Sequence, residues 1–387
     1  MNEVVTPPDP SAPATGLRAA LRSAVRDPIW VDAIAPTLVI RAALMALGVL
    51  LVVVFRVDAL PKDDFLAIWN RWDAPHFFEV ARYGYGPPAD PARIVLFPLY
   101  PVLIAVGSWV ASPLVAGMVI SLLASVAAAA GIYRLARFDH GRRTARAAVV
   151  AMNVFPTAFA FIAPYSEAPF LALVVWSFVA ARRDNWPAAG FLGLLAGAAR
   201  LQGAFLVPAL AVEYIVTKRR VGRGSLWIAL AAGGPLIYLA INAATFGDPL
   251  YFVSIQRDVF HVQNIAPWTA LGELVNGVVS GGRGEFWATV YLAPLAAFIV
   301  LGLTTIWTIV GRGSRPGYAA FAILNLATLV TLSWPISVPR YILGVAPMFI
   351  YLGRLAQRPI LGLLLLVTSV VLLGVCLTLF VIGHWAF

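Results

Sequence analysis

Apolar residues fall in long blocks along this chain, separated by short basic loops. Residues 224–247, 286–311, 316–339 and 359–387 contain no Asp, Glu, Lys or Arg. Each block is long enough to cross a hydrocarbon core, which takes about 20 apolar residues. Blocks of this kind predict spans at roughly 34–55, 113–136, 147–164, 167–181, 187–200, 203–217, 226–245, 286–311, 318–334, 341–355 and 359–382. The expected architecture is an all-α polytopic membrane protein of about eleven transmembrane helices. The spans 167–181, 187–200 and 203–217 are short, so broken or re-entrant segments are expected among them, as is permitted where protein lines a cavity.

Composition agrees with that pattern. Of the 387 residues, 61% are apolar and 12% charged, against roughly 45–50% and about 25% in soluble domains. A soluble chain of this length could not cover its surface with so few charges. The net charge of +10 would suggest nucleic acid in a soluble protein. Here the bias of Lys and Arg toward cytoplasmic loops accounts for it, and no nucleic-acid partner is expected. The first 16 residues, MNEVVTPPDPSAPATG, lack the apolar core and cleavage site of a signal peptide. Residues 1–30 are read as a disordered cytoplasmic tail and 31–387 as a single transmembrane domain. The lone cysteine, Cys376, lies in an apolar run and is read as a small hydrophobe.

Charge placement sets the orientation. With the N-terminus inside and spans alternating, the cytoplasmic segments hold Arg18, Arg22, Arg26, Arg134, Arg137, Arg142, Arg143, Arg146, Arg182 and Arg183. They continue with Lys218, Arg219, Arg220, Arg223, Arg312, Arg315, Arg354 and Arg358. This asymmetry favours eleven crossings with the C-terminus outside. Counting 97–110 as a further span would reverse it for the arginines of 134–146. At 1.5 Å per residue those 14 residues also cover only about 21 Å of a roughly 30 Å core. They are read as an interfacial helix. Two external segments remain, 56–112 and 246–285, the first carrying Asp58, Asp63, Asp64, Asp73, Glu79 and Asp90.

The densest candidate chemistry is WNRWDAPHFFEVARYGYGPP, from Trp69 to Pro88. Trp69, Trp72, Tyr83 and Tyr85 suit a headgroup boundary. Residues 70–82 can form a short helix with Pro75 in its first turn. Asp73, His76 and Phe77 then share a face at i, i+3 and i+4, which puts an acid and an imidazole together just outside the bilayer. The alternative is an aromatic belt in which Asp73 only caps the helix.

The run WDAPHFFEVARYGY followed by FPLYP resembles the first luminal loop of the PIG-V family, the second mannosyltransferases of GPI-anchor assembly, which have bacterial relatives. Trp72, Asp73, Ala74, His76, Phe77, Ala81, Gly84, Tyr85, Phe97, Pro98 and Pro101 match its pattern. Asn153 with Pro156, YSEAPF at 165–170, ARLQG at 199–203 and SVPRY at 337–341 resemble later family segments in the same order, with Leu201 and Gln202 departing from the usual residues. The resemblance implies a GT-C-type glycosyltransferase fold. It also implies a polyprenyl-phosphate-sugar donor and an acidic residue of the first external loop at the reaction centre.

In that chemistry an inverting transfer needs a base at the acceptor hydroxyl, and Asp73 is the candidate. The departing phosphate needs donors or positive charge, which arginine supplies in two-point geometry. Arg340, Arg200 and Arg82 are candidates, with His76 as a further donor. Tyr165, Glu167, Gln202 and Tyr341, within the matching segments, complete the substrate-binding set. An intramembrane charge marks function by default. Arg200 is expected to pair with Glu167 near the outer ends of their spans, and a purely structural pair is the alternative. Arg41 is read as snorkelling or paired, Glu213 as meeting cytoplasmic solvent, and Asp248 as a cap.

Asp63–Asp64 is a carboxylate pair that can hold a divalent metal, but two adjacent loop acids are more often simply solvated. No metal site or other cofactor is expected, and no phosphate-binding or dinucleotide motif is present. The leading expectation is a multi-pass cell-membrane mannosyltransferase (in the endoplasmic reticulum membrane if the source is eukaryotic) with an extracytoplasmic active site. Its acceptor would be a glycolipid, a lipoglycan or a protein, and membrane lipids would surround it. The rivals are transfer of another sugar such as arabinose, and a transporter or flippase. Against the latter stands the missing internal repeat.

Overall fold

The computed structural model describes residues 28–55, 64–219 and 222–386. The tail assigned to 1–30, for all but its last three residues, lies outside them, as do Asp58, Asp63 and Arg220. Among the described residues the chain is nearly all-helical, and strand pairing is limited to one isolated bridge between Asn264 and Leu332.

In chain order the helices are α1 (Trp30–Phe55), α2 (Asp73–Tyr83), α3 (Leu99–Gly107), α4 (Pro113–Asp139), α5 (Arg142–Val154), α6 (Glu167–Arg182), α7 (Trp186–Ala199) and α8 (Leu201–Lys218). They continue as α9 (Gly224–Phe246), α10 (Tyr251–Asp258), α11 (Pro267–Ser280), α12 (Glu285–Val310), α13 (Pro316–Leu329), α14 (Val338–Tyr341), α15 (Ala346–Leu355) and α16 (Pro359–Ile382). Six of them, α1, α4, α8, α9, α12 and α16, are long and apolar enough to cross a membrane. On α16, Ile360, Leu363, Val367 and Val371 are exposed at helical spacing. Such an apolar stripe is unstable against water and suits lipid.

The remaining segments expected to span are shorter or interrupted. α6 has 16 residues and α7 and α13 have 14 each, or about 21–24 Å of rise. The interruptions fall partly elsewhere than the sequence suggested. The 147–164 segment leaves its helix at Val154, and Pro156 is followed by a 3₁₀ turn, Ala158–Phe161. The 341–355 segment begins in a broken stretch before the ten-residue α15. A third break falls at Arg200, between α7 and the 3₁₀ start of α8. The buried polar backbone at these breaks is tolerated because protein surrounds it.

The interior of the bundle is α4 packed on α6, α6 on α7, and α5 on α15. Small residues set the closest approaches. A Cβ on Gly190 of α7 would stand 1.8 Å from the Trp227 carbonyl oxygen, and one on Gly234 would stand 2.1 Å from that of Leu194. α7 and α9 therefore touch backbone to backbone, as glycine-lined membrane helices do.

Over one end of the bundle lies the segment that follows α1. α2 starts at Asp73, with Pro75 in its first turn, and ends at Gly84 with φ +74°, a left-handed value that favours glycine. Phe77 meets Tyr100 edge to face at 5.0 Å, and the Tyr100 hydroxyl donates to the Gly117 carbonyl and shares a hydrogen bond with Ser121. These contacts tie α2 and α3 to the top of α4. With nine residues, α3 rises about 13 Å, too little to cross. Phe97 stacks on Tyr238 at 3.9 Å, and the Tyr238 hydroxyl donates to the Ile94 carbonyl. A second tie runs through Glu79, whose carboxylate accepts from the Asp90 amide and from Arg93 Nε at 2.8 and 2.7 Å.

Candidate functional site

The site is built from helix breaks. Glu167 is the first residue of α6, Arg200 follows the last residue of α7, and Arg340 sits in the four-residue α14. Asp73 opens α2. Four residues distant in sequence are thereby brought to one end of the bundle.

Their geometry is a chain of opposite charges. Arg340 Nη2 donates to Asp73 Oδ2 at 2.5 Å, and Arg340 Nε stands 2.9 Å from Glu167 Oε1. The same oxygen lies 2.7 Å from Arg200 Nη1, which also donates to Ser166 Oγ at 3.1 Å. The Glu167 and Arg340 side chains are 3% and 5% exposed, whereas Asp73 keeps 31%. Two buried charges and a partly exposed arginine thus hold one accessible carboxylate. Glu167 gains further from the positive end of α6. Arg340 Nη1 is buried without a partner among the described residues.

Aromatic rings and amides fix these groups. The Arg340 guanidinium lies 4.8 Å over the ring of Tyr165, and that of Arg200 lies 5.1 Å over Tyr341. Such cation–π contacts strengthen when desolvated. The Tyr165 hydroxyl donates to the Arg71 carbonyl, which fixes the backbone two residues before Asp73. Gln202 Nε2 donates to Asn325 Oδ1 at 2.7 Å and to the Tyr341 carbonyl at 3.3 Å, while Thr157 Oγ1 donates to the Pro339 carbonyl. Both carbonyls flank Arg340, so its placement is secured from two segments, the turn after Val154 and the start of α8.

Of the sequence candidates, Asp73, Tyr165, Glu167, Arg200, Gln202, Arg340 and Tyr341 come together. His76 is half-buried on α2, and burial, followed by the charge of Arg93, holds its pKa below the usual histidine value. Both effects favour its neutral form. Arg82 stands apart: it is exposed and stacks on Tyr83 at 5.0 Å. Nine residues beyond Asp73, at about 100° per residue, it points to the opposite side of α2. The capping alternative for Asp73 is not seen, because its side chain caps no helix amide.

Asp64 does cap, accepting from the Leu66 and Ala67 amides, and Asp248 accepts from the Leu250 amide. Glu213 differs from expectation. It is 2% exposed, 3.1 Å from Arg315 Nε, and accepts from the Gly317 amide. Arg41 also differs. It is 1% exposed, donates to the Ala158 carbonyl at 3.3 Å, and has no carboxylate partner among the described residues.

Residues outside the sequence-based set also shape the site. Arg71 Nη2 donates to the Val381 carbonyl at 2.9 Å, and Trp72, at φ +54°, meets Trp385 edge to face at 5.0 Å. Ser166, Thr157 and Asn325 are buried polar residues. Their signal in the sequence was polarity within apolar blocks, which alone does not tell a positioning hydrogen bond from a helix-internal one.

No family model matches this chain, and no curated protein matches it. Among solved structures it is similar to the Archaeoglobus fulgidus oligosaccharyltransferase tethered with an acceptor peptide containing the NVT sequon via a disulfide bond. That similarity has 13% sequence identity and a TM-score of 0.44, and covers 90% of this chain and 55% of the other. The chain thus spans about half the length of that structure.

Proposed function

We propose that the chain is a membrane-embedded glycosyltransferase of GT-C type, which transfers mannose from a polyprenyl-phosphate-mannose donor. The acceptor would be a glycolipid, a lipoglycan or a protein on the extracytoplasmic face. One observation carries the reading: Asp73, in the Trp-Asp-Ala-x-His-Phe motif, is an accessible carboxylate held by buried Arg340, which shares Glu167 with the partly exposed Arg200.

Asp73 is suited to take the proton from the acceptor hydroxyl as its oxygen attacks the anomeric carbon. The bond from that carbon to the phosphate oxygen breaks, and its electron pair leaves on the polyprenyl phosphate. Negative charge grows on the departing oxygens beside Arg340 and Arg200, whose planar forks match phosphate. Glu167 keeps both arginines in place without reaching the substrate. From a β-linked donor, inversion gives an α-mannoside. No metal is required for this sequence of steps. Another polyprenyl-phosphate sugar, such as arabinose, would use the same groups.

The test is to reconstitute the purified protein in liposomes with radiolabelled polyprenyl-phosphate-mannose and a membrane lipid and glycan extract. Label in a product, with release of polyprenyl phosphate, supports the reading. Movement of the donor across the bilayer with no glycosyl product overturns it in favour of a flippase.

A further inference from the structure

A cavity of about 370 Å³ opens at the other end of the bundle, lined by Pro28, Ile29, Tyr133, Arg134, Arg137, Phe138 and Arg183. Along α4, Ser121 donates to the Tyr165 carbonyl beneath the Asp73 site. Arg137 lies sixteen residues further on, about 24 Å away along the helix. The cavity is therefore separate from the site described above.

Among the described residues its charge is unbalanced. Most acids at this end already have cations. Asp32 is held by Arg142 and Arg146, Asp139 by Arg182, Asp184 by Lys218, and Glu213 by Arg315. None of Arg134, Arg137 and Arg183 has a carboxylate partner among the described residues. Arg134 lies 5.4 Å over the Trp176 ring and Arg137 lies 6.0 Å over that of Tyr133. The Trp176 indole donates to the Ala127 carbonyl and the Tyr133 hydroxyl to Asp32, so both rings are fixed. Phe138, 40% exposed, adds an apolar wall.

We propose that this cavity binds a phosphate group, that of an anionic lipid headgroup, at the face of the membrane opposite Asp73. Three guanidiniums meet the phosphate oxygens in the planar geometry arginine provides, and the apolar wall meets the start of the acyl region. This inference does not depend on the glycosyl-transfer reading.

The test uses the full chain in detergent and in nanodiscs. Delipidated protein is titrated with phosphatidylglycerol, with phosphatidylcholine and with inorganic phosphate, and binding is read by native mass spectrometry and thermal shift. Each arginine near an anionic membrane surface contributes about fivefold in affinity. The triple variant Arg134→Gln, Arg137→Gln, Arg183→Gln should therefore lose retained phosphatidylglycerol by well over tenfold. The control Arg143→Gln, Arg312→Gln, Arg358→Gln removes as many exposed charges from outside the cavity and should lose clearly less than the triple variant, because it leaves the three cavity arginines in place. Arg183→Gln alone, at an exposed position, covers the case in which the triple variant misfolds, and should lose about fivefold. Equal losses in triple variant and control, or no loss in Arg183→Gln, overturn the proposal. Binding of inorganic phosphate alone, with phosphatidylglycerol no better than phosphatidylcholine, overturns the lipid assignment.

Discussion

Glu167→Gln is the sharpest perturbation of the clamp. The substitution keeps the shape of the side chain and removes the one negative charge that Arg340 and Arg200 share at 2.9 and 2.7 Å. Removing one partner of a buried ion pair costs about 3–5 kcal/mol, because the remaining charge stays desolvated. Arg340 retains Asp73 and Arg200 retains Ser166, which places the cost near the low end, about 3 kcal/mol. At about 2.1 cal/mol/K of unfolding entropy per residue, a chain of this length unfolds with roughly 0.8 kcal/mol/K, so Tm should fall by about 4 °C.

The assay is thermal unfolding in detergent of Glu167→Gln, Arg200→Gln and the double variant. Residues in direct ionic contact show coupling of about 0.5–3 kcal/mol. The double variant should therefore fall short of the sum of the single losses. A Tm within 1 °C of the parent for Glu167→Gln, or strictly additive losses, refutes the clamp as drawn.

Two further perturbations probe the frame. Glu79 has its pKa held below the ordinary glutamate value by the Asp90 amide and then by Arg93. Its contribution is therefore complete above the usual carboxylate range and lost as pH falls through the lowered folded value. Limited proteolysis of the 84–98 segment should be slow at neutral pH and accelerate only in acid, while Glu79→Gln is cut quickly at pH 7; equal rates for the two proteins at pH 7 would refute the tie. Arg41 is buried with one carbonyl and the Phe161 ring, 5.2 Å away, as its contacts and no carboxylate among the described residues, so Arg41→Met removes a desolvated charge and should leave Tm unchanged or higher. A fall of several degrees would show that the Ala158 carbonyl and the Phe161 ring outweigh the cost of burying the charge, and would refute the prediction.

Much of the site was legible because charge is scarce in this chain. In apolar blocks, Glu167 and Arg200 had few possible partners other than each other, and both fell near the same ends of their segments. The motif around Asp73 singled out a carboxylate that the structure brings to Arg340, and helical spacing placed Pro75 in the first turn of α2. What remained hidden depended on tertiary contacts. Arg340 lies 267 residues from Asp73, and only the fold makes them direct partners. The break after Val154 leaves an apolar run, FPTAFAFIAP, whose hydropathy is that of a span although its backbone turns. Glu213 near a basic loop reads as solvated until α13 covers it. Arg82 was the opposite case, since its half-turn offset from Asp73 was already present in the spacing.

The central claim is that Asp73 accepts the acceptor's proton. The measurement is glycosyl transfer by Asp73→Asn in liposomes with labelled polyprenyl-phosphate-mannose, with Tm and donor binding measured alongside. Loss of a general base costs about 10²–10⁴-fold in rate, so transfer should fall by at least about a hundredfold while the donor still binds. Near-normal turnover in a folded Asp73→Asn protein would contradict the account.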